Sequence, residues 1–213
     1  MTDSHSPASP AVAELATVAA TIQEFASAYF TRLHRALEGI DLSELARLAA
    51  ALDSARRAGQ TIFVAGNGGS ATTASSMAND LGFDIIKKTG VARPFRLLAL
   101  TDNNAVLTAI ANDVGYDEVF LNQARIHFRA GDMLIAISVS GNSPNVVAVA
   151  KWVKSQGGTV AGLLGFTGGA LGGICDIVVH VPSVAGEYGP VEDAHLVMNH
   201  VLAHWFQAKL RDA

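Results

Sequence analysis

The chain has a single cysteine, Cys175, in 213 residues. One thiol cannot form an internal disulfide, so a disulfide-stapled secreted scaffold is excluded. Basic charge is also scarce, with 15 Lys and Arg against 19 Asp and Glu and a formal net charge of -4. That balance gives no field for a nucleic-acid backbone or an anionic membrane, so neither is expected as a partner. Long hydrophobic runs are absent too, because Gly, Asn, Asp or Lys interrupts each one before the roughly 20 residues needed to cross a bilayer. Met1 to Pro10 has neither the basic start nor the apolar run of a secretory signal, and a cytoplasmic location is expected.

Half of the residues are apolar and only 16% are charged, which is enough apolar material for one substantial core. A single domain over residues 11–213 is expected, preceded by a flexible Ser/Pro-containing tail over residues 1–10. No Pro- or Gly-rich linker or internal array divides it.

Ala11 to Leu37 and Asp41 to Arg57 place apolar residues at helical spacing, predicting a pair of opening helices. Five short apolar runs follow: Thr61 to Ala65, Arg96 to Leu100, Met133 to Ile137, Thr159 to Leu163 and Asp176 to His180. Nearly continuous runs of this length suit strands buried on both faces. Helical patterns lie between them, over Ala71 to Leu81 with an extension, Ala105 to His127 in pieces, and Pro144 to Gln156; a last one runs from Val191 to Leu210. The alternation predicts a doubly wound α/β fold with a mainly five-stranded parallel sheet.

In such sheets ligands lie beyond the carboxyl ends of the strands. Two loops there have suitable chemistry. Gly66-Asn67-Gly68-Gly69-Ser70 follows the first strand and enters a helix; its glycines let backbone approach a ligand, and Ser70 can cap the helix or bond a ligand oxygen. Ser138-Val139-Ser140-Gly141-Asn142-Ser143 follows the third strand, with Pro144 suited to the next helix's first turn. Hydroxyls around a helix N-terminus favour an anion such as phosphate. Taken singly, each loop fits turn and capping chemistry equally well; two together at strand ends favour a site. The Gly-Lys-Ser/Thr ending of a P-loop is missing, and so is the acidic residue that dinucleotide binding needs about 20 residues on.

The segments "GNGGSATTASSMANDL", "LTAIANDVGYDEVF", "GDMLIAISVSGNSPNVVAVAKWVKSQG" and "EDAHLVMNH" resemble the SIS (sugar isomerase) domain family, and within it the phosphoheptose (sedoheptulose-7-phosphate) isomerases. The resemblance covers about Asp41 to the C-terminus. It implies an aldose–ketose isomerase acting on a phosphorylated sugar, with sedoheptulose 7-phosphate the first candidate and proton transfer through an enediol. It also implies that Asn67, Gly68, Gly69, Ser70, Asn112 and Asp113 line the substrate site and that Ser138, Ser140 and Ser143 take the phosphate. Val139 stands where the family has Thr.

The family's His and Glu, four residues apart on the helix after the first loop, read Ser76 and Asp80 here. Its Gln at the start of the last helix reads Glu192, its partner histidine is His200, and an arginine position is Asp84 with Lys87 and Lys88 nearby. The resemblance thus assigns catalysis to Asp80 and His200 and substrate contact to Glu192. A carboxylate and a histidine suffice for enediol proton transfer. His195 and His204 are assigned surface or packing roles, and His34, His127 and His180 structural ones. On the last helix, Ala194, Val197, Met198, Val201 and Trp205 form the expected core-facing stripe.

No cofactor is assigned. Some family members bind zinc through positions that here read Ser76, Asp80, Glu192 and His200, and two carboxylates with one imidazole leave a divalent metal such as zinc open. The resemblance further implies a homotetramer with active sites between subunits, in which His200 serves a neighbour's Asp80 and dissociation abolishes activity. The retained serines also fit a second reading: a noncatalytic SIS module that senses a sugar phosphate or binds a protein partner, similar to the replication-initiator-associating members.

Overall fold

The computed structural model describes residues 12–211, so the expected tail over residues 1–10 lies outside the described residues. Five strands, β1 (Thr61–Ala65), β2 (Arg96–Ala99), β3 (Met133–Ser138), β4 (Thr159–Leu164) and β5 (Ile177–His180), pair in parallel in the order β2-β1-β3-β4-β5. β3 is buried at every position, and β1 and β4 at every position after the first. Such strands need apolar residues on both faces, which explains the absence of alternation.

Helices cover both faces. α3 (Leu42–Ala58) and α10 (Tyr188–Lys209) pack on one side with α4 (Gly69–Met77), which runs unbroken through a π-helical stretch, Ala78–Asp84, into α5 (Ile85–Thr89). Leu48, Leu52, Met77, Leu81 and Leu202 build that core layer. On the other side α7 (Val119–His127) and α8 (Pro144–Ser155) contribute Val119, Phe120, Val146, Val149 and Val153. α6 (Asn104–Asp113) and the short α9 (Gly169–Gly172) complete the crossovers. The buried Asp132 fastens the base of the sheet, accepting the Thr61 N–H at 2.7 Å and the Arg129 N–H at 2.8 Å.

Two sequence expectations are corrected. The first opening helix is two helices, α1 (Val12–Val18) and α2 (Ile22–Glu38). Thr21 stops the continuation: its side chain accepts the Glu24 N–H while Glu24 reaches back to the Thr21 N–H, a capping box that starts α2 afresh. The buried stripe of α10 is also turned from the expected one. His195, Asn199, Leu202 and Phe206 join Ala194 and Met198 inside, while Val201 and Trp205 are about half exposed at 49% and 51%. Two polar residues hold core positions there, and periodicity read from apolar residues alone misses them.

The N-terminal helices are joined to the site-bearing end by a buried ion pair. Arg32 on α2 donates through Nε and Nη2 to both oxygens of Glu187, at 2.8 and 2.5 Å, and through Nη2 to the Pro182 carbonyl at 3.3 Å. Burial opposes ionisation of Glu187, but hydrogen bonds from Arg32 and the Val184 N–H, with the Arg32 charge, outweigh it and hold its pKa below the usual carboxylate value. A lowered carboxylate pKa adds stability above the unfolded value that is lost as pH falls through the folded one. Arg32→Met, which leaves the buried carboxylate alone, is expected to lose about 3 kcal/mol near neutral pH. In denaturant titrations the deficit should shrink below about pH 4, as Glu187 is protonated in both proteins.

Candidate active site

β1 and β3 are neighbours whose following helices leave to opposite faces, so a crevice opens between their carboxyl ends. The two predicted loops meet in it. Asn67 Nδ2 donates to Asn145 Oδ1 at 2.9 Å and Asn145 Nδ2 returns a bond to Asn67 Oδ1 at 3.0 Å, a reciprocal amide pair across the crevice. Asn145 is buried on the first turn of α8 and also accepts the Val146 N–H at 2.9 Å. Tyr116 closes the same point from a third element, its hydroxyl donating to Asn67 Oδ1 at 3.0 Å.

The serine loop is a tight, internally bonded cup. The Ser138 and Ser143 hydroxyls lie 3.1 Å apart, and Ser138 Oγ accepts the Gly141 N–H at 3.2 Å. Ser140 Oγ accepts the Asn142 N–H at 3.2 Å, and Asn142 Oδ1 accepts the Ala170 N–H at 2.9 Å, tying the cup to α9. Gly141 sits at φ +67°, where an added Cβ would overlap the Gly168 carbonyl, so both conformation and space require glycine. Val139 is buried in the core, so the missing hydroxyl is replaced by apolar packing. The three serines thus lie on one loop that leads into the α8 N-terminus.

The first loop enters α4 through Gly68 at φ +55°, with Gly69 and the buried Ser70 in its first turn. The Gly69 N–H faces the Glu192 carboxylate of α10, and an added Cβ at Gly69 would overlap that group. Burial raises the Glu192 pKa and the neighbouring Asp193 charge adds to this, while the Gly69 N–H partly offsets both. Asp193 itself accepts the Tyr29 hydroxyl at 2.6 Å, and Tyr29 is raised by burial and by that bond.

Asp80 lies on the π-helical stretch, a helix form that widens the turn and often occurs at functional sites. Its Oδ1 accepts from Asn79 Nδ2 at 2.8 Å, and its Oδ2 accepts from Asn199 Nδ2 at 2.6 Å. His200 Nε2 lies 3.7 Å from the same Oδ2, with the Asp80 side chain 19% exposed and that of His200 55% exposed. This is too long for a hydrogen bond, yet close enough for both groups to reach adjacent atoms of one substrate. The two side chains thus stand together within one chain.

Other predicted residues are placed less tightly. Asn112 and Asp113 are exposed at the end of α6 and bond to each other at 2.8 Å. Neither has a hydrogen bond to the two loops among the described residues, and it is Tyr116, three residues beyond Asp113, that reaches them. Lys88 pairs with Asp84 at 3.1 Å and Lys87 lies 5.7 Å over the Phe83 ring, so neither bonds the site. Of the histidines set aside, His195 is buried and His180 Nε2 meets the Phe166 carbonyl at 2.8 Å, in keeping with structural roles. Asn145, Tyr116 and Asn199 are missed by sequence reasoning; the Ser-Pro-Asn start of α8 was the one available signal for Asn145.

The residues at the four metal positions do not fit a zinc ion. Ser76 offers no imidazole, Glu192 is turned to the Gly69 N–H, and both oxygens of Asp80 already accept side-chain amides. Among the described residues, no three His, Cys, Asp or Glu side chains gather as a metal site. A groove of about 810 Å³ between α3 and α10 is walled by Leu45, Ala49, Trp205 and Phe206. Its charged residues are already engaged, Asp53 with Arg57 and Lys209 over the Trp205 ring, so the strand ends are assigned as the site.

A family model described as the SIS domain matches residues 25–165. The phosphoheptose isomerase of Rhodospirillum rubrum is 36% identical over 158 residues, covering 74% of this chain and 81% of that protein. That of Aneurinibacillus thermoaerophilus is 38% identical over 145 residues, covering 68% and 70%. Among solved structures, a phosphoheptose isomerase from Neisseria gonorrhoeae superposes with a TM-score of 0.78 at 30% identity, covering 88% of this chain and 100% of that one. One from Francisella tularensis gives 0.78 at 25% identity, covering 88% and 99%.

The raised pKa of Glu192 has a testable sign. A carboxylate raised in the folded state favours folding at low pH, and that contribution is lost as pH rises through the folded value. Glu192→Gln should therefore gain stability relative to the parent between about pH 4 and pH 7, with the smallest difference at the acid end. Thermal unfolding of both proteins across that range checks it, and a difference that is flat with pH would oppose it.

Proposed function

The chain belongs to the SIS domain family, and from that membership and the carboxylate–imidazole pair at its strand ends we propose that it interconverts a ketose phosphate and the corresponding aldose phosphate. Sedoheptulose 7-phosphate is the first substrate, as the names of the similar isomerases suggest. The observation that carries the reading is the 3.7 Å approach of His200 Nε2 to Asp80 Oδ2.

The phosphate sits in the cup of Ser138, Ser140 and Ser143, where hydroxyls and the α8 N-terminus meet its charge. Asn67, Gly68, Gly69, Ser70 and Glu192 face the sugar, with Asn112 and Asp113 at the outer edge. Asp80 takes the proton from the carbon beside the carbonyl, and the electron pair left on that carbon forms the enediol as His200 gives a proton to the carbonyl oxygen. The reverse transfers, to the neighbouring carbon and from the other oxygen, complete the isomerisation with no net gain or loss of atoms or electrons.

The enzyme is read as a cytoplasmic single-domain protein that acts without nucleic acid or membrane. No helix among the described residues is long and apolar enough to cross a membrane. It is also read as a homo-oligomer, most simply a tetramer. Exposed Ile22, Phe30 and Leu42 on the opening helices, with Val201 and Trp205 on α10, support that assembly. In that assembly the active sites would lie between subunits.

Turnover of sedoheptulose 7-phosphate tests the reading. Asp80→Asn and His200→Ala should each lower kcat by about 10²- to 10⁴-fold. Parental turnover in Asp80→Asn would overturn the assignment of the base. Binding without turnover in the parent would instead favour the sensing module.

A further inference from the structure

α10 carries two fully buried polar side chains one turn apart, His195 and Asn199. Burial pushes the His195 pKa down to about 4, so the ring is neutral, and its Nε2 lies 3.5 Å from the Leu164 carbonyl at the end of β4. Each of the two also keeps one buried atom, His195 Nδ1 and Asn199 Oδ1, without a hydrogen-bond partner among the described residues. Asn199 differs in reaching the site: its Nδ2 donates to Asp80 Oδ2 at 2.6 Å.

Burying an amide with its carbonyl unmatched is unfavourable, and a leucine or methionine would pack in the same layer without that penalty. A hydrogen bond to a carboxylate offsets that penalty by a comparable amount, so the polarity of residue 199 gives the core little net stability. What the amide does have is one short bond, shielded from water, to a carboxylate on a different element, 119 residues away in sequence. Asn79, the other partner of Asp80, is exposed, so water competes with its bond. The carboxylate is thus held chiefly from the buried side, on the oxygen that His200 also approaches.

We propose that Asn199 is a positioning residue for the isomerisation, fixing the plane and reach of the Asp80 carboxylate for proton abstraction. This rests on the reading of Asp80 as the base. Aspartate is one methylene shorter than glutamate, and a misplacement of about 1 Å at a reacting group can lower a rate on the order of 100-fold. A donor fixed in the core removes that freedom, and its alignment is set by packing rather than by substrate.

The test compares Asn199→Leu with the parent in steady-state turnover of sedoheptulose 7-phosphate and in thermal unfolding, with Asp80→Asn alongside. Asn199→Leu should lower kcat by about 10- to 100-fold, leave KM within about twofold because other elements hold the phosphate and sugar, and unfold no lower than the parent. Asn199→Ser, too short to bridge to Asp80 and too small to overpack, should show the same kcat-against-KM split and serves if the leucine variant does not fold. Parental kcat in either folded variant, or a kcat loss accompanied by an equally large rise in KM, or by a lowered unfolding temperature in Asn199→Leu, would overturn the inference while Asp80→Asn remains inactive. Parental turnover in Asp80→Asn would overturn the reading of the base, and the inference with it.

Discussion

The parallel pairing of β1 with β3 is the constraint from which the site follows. Ile62 to Ala65 align with Met133 to Ala136 in the middle of the sheet, while the helices that follow the two strands pack on opposite faces. That reversal opens a crevice with two helix N-termini on its rim, where unpaired N–H groups collect. The Asn67–Asn145 pair then fixes the separation of its walls, and Tyr116 fixes the same asparagine from outside. Without the amide pair, the serine cup and the glycine loop would remain good turns with no shared ligand geometry.

The second constraint lies in α10, which passes the π-helical stretch and brings Asn199 and His200 to Asp80. Successive residues on a helix point about 100° apart, so one can face the core while the next faces solvent. Asn199 and His200 use that difference: one is fully buried and the other exposed, yet both approach Asp80 Oδ2. A wide helical turn carrying the carboxylate, a buried amide behind it and an accessible imidazole in front give a short aspartate a fixed position without a metal ligand set. Glu192 contributes differently, its carboxylate turned to the first turn of α4.

Much of this was legible in the residues. The five strands fall within one residue of the apolar runs at each end, because strands covered on both faces leave an unbroken apolar signature. The Ser-x-Ser-Gly-Asn-Ser and Gly-Asn-Gly-Gly-Ser turns announced their chemistry locally, and the structure brings them together. The break at Thr21 was also written locally, as a Thr and Glu three residues apart within an apolar-periodic stretch, but the helical period masked it. What was not legible depends on distant partners. The π-helical stretch has no sequence signature of its own, Asn145 and Asn199 gain meaning only from residues 78 and 119 positions away, and the phase of α10 is set by polar side chains in its core face. The in-chain pairing of Asp80 with His200 is likewise a product of packing.

On this reading a carboxylate moves a proton between adjacent carbons of a phosphorylated sugar. Asp80 and His200 are both partly accessible, so a proton held between them can exchange with solvent during the enediol's lifetime. The decisive measurement is NMR of the sugar pool after conversion of sedoheptulose 7-phosphate in deuterated water. Deuterium should appear at the carbon adjacent to the carbonyl and be absent when Asp80→Asn replaces the parent. Equilibration of the two sugars with the original hydrogen fully retained would contradict transfer through a solvent-exchanging Asp80.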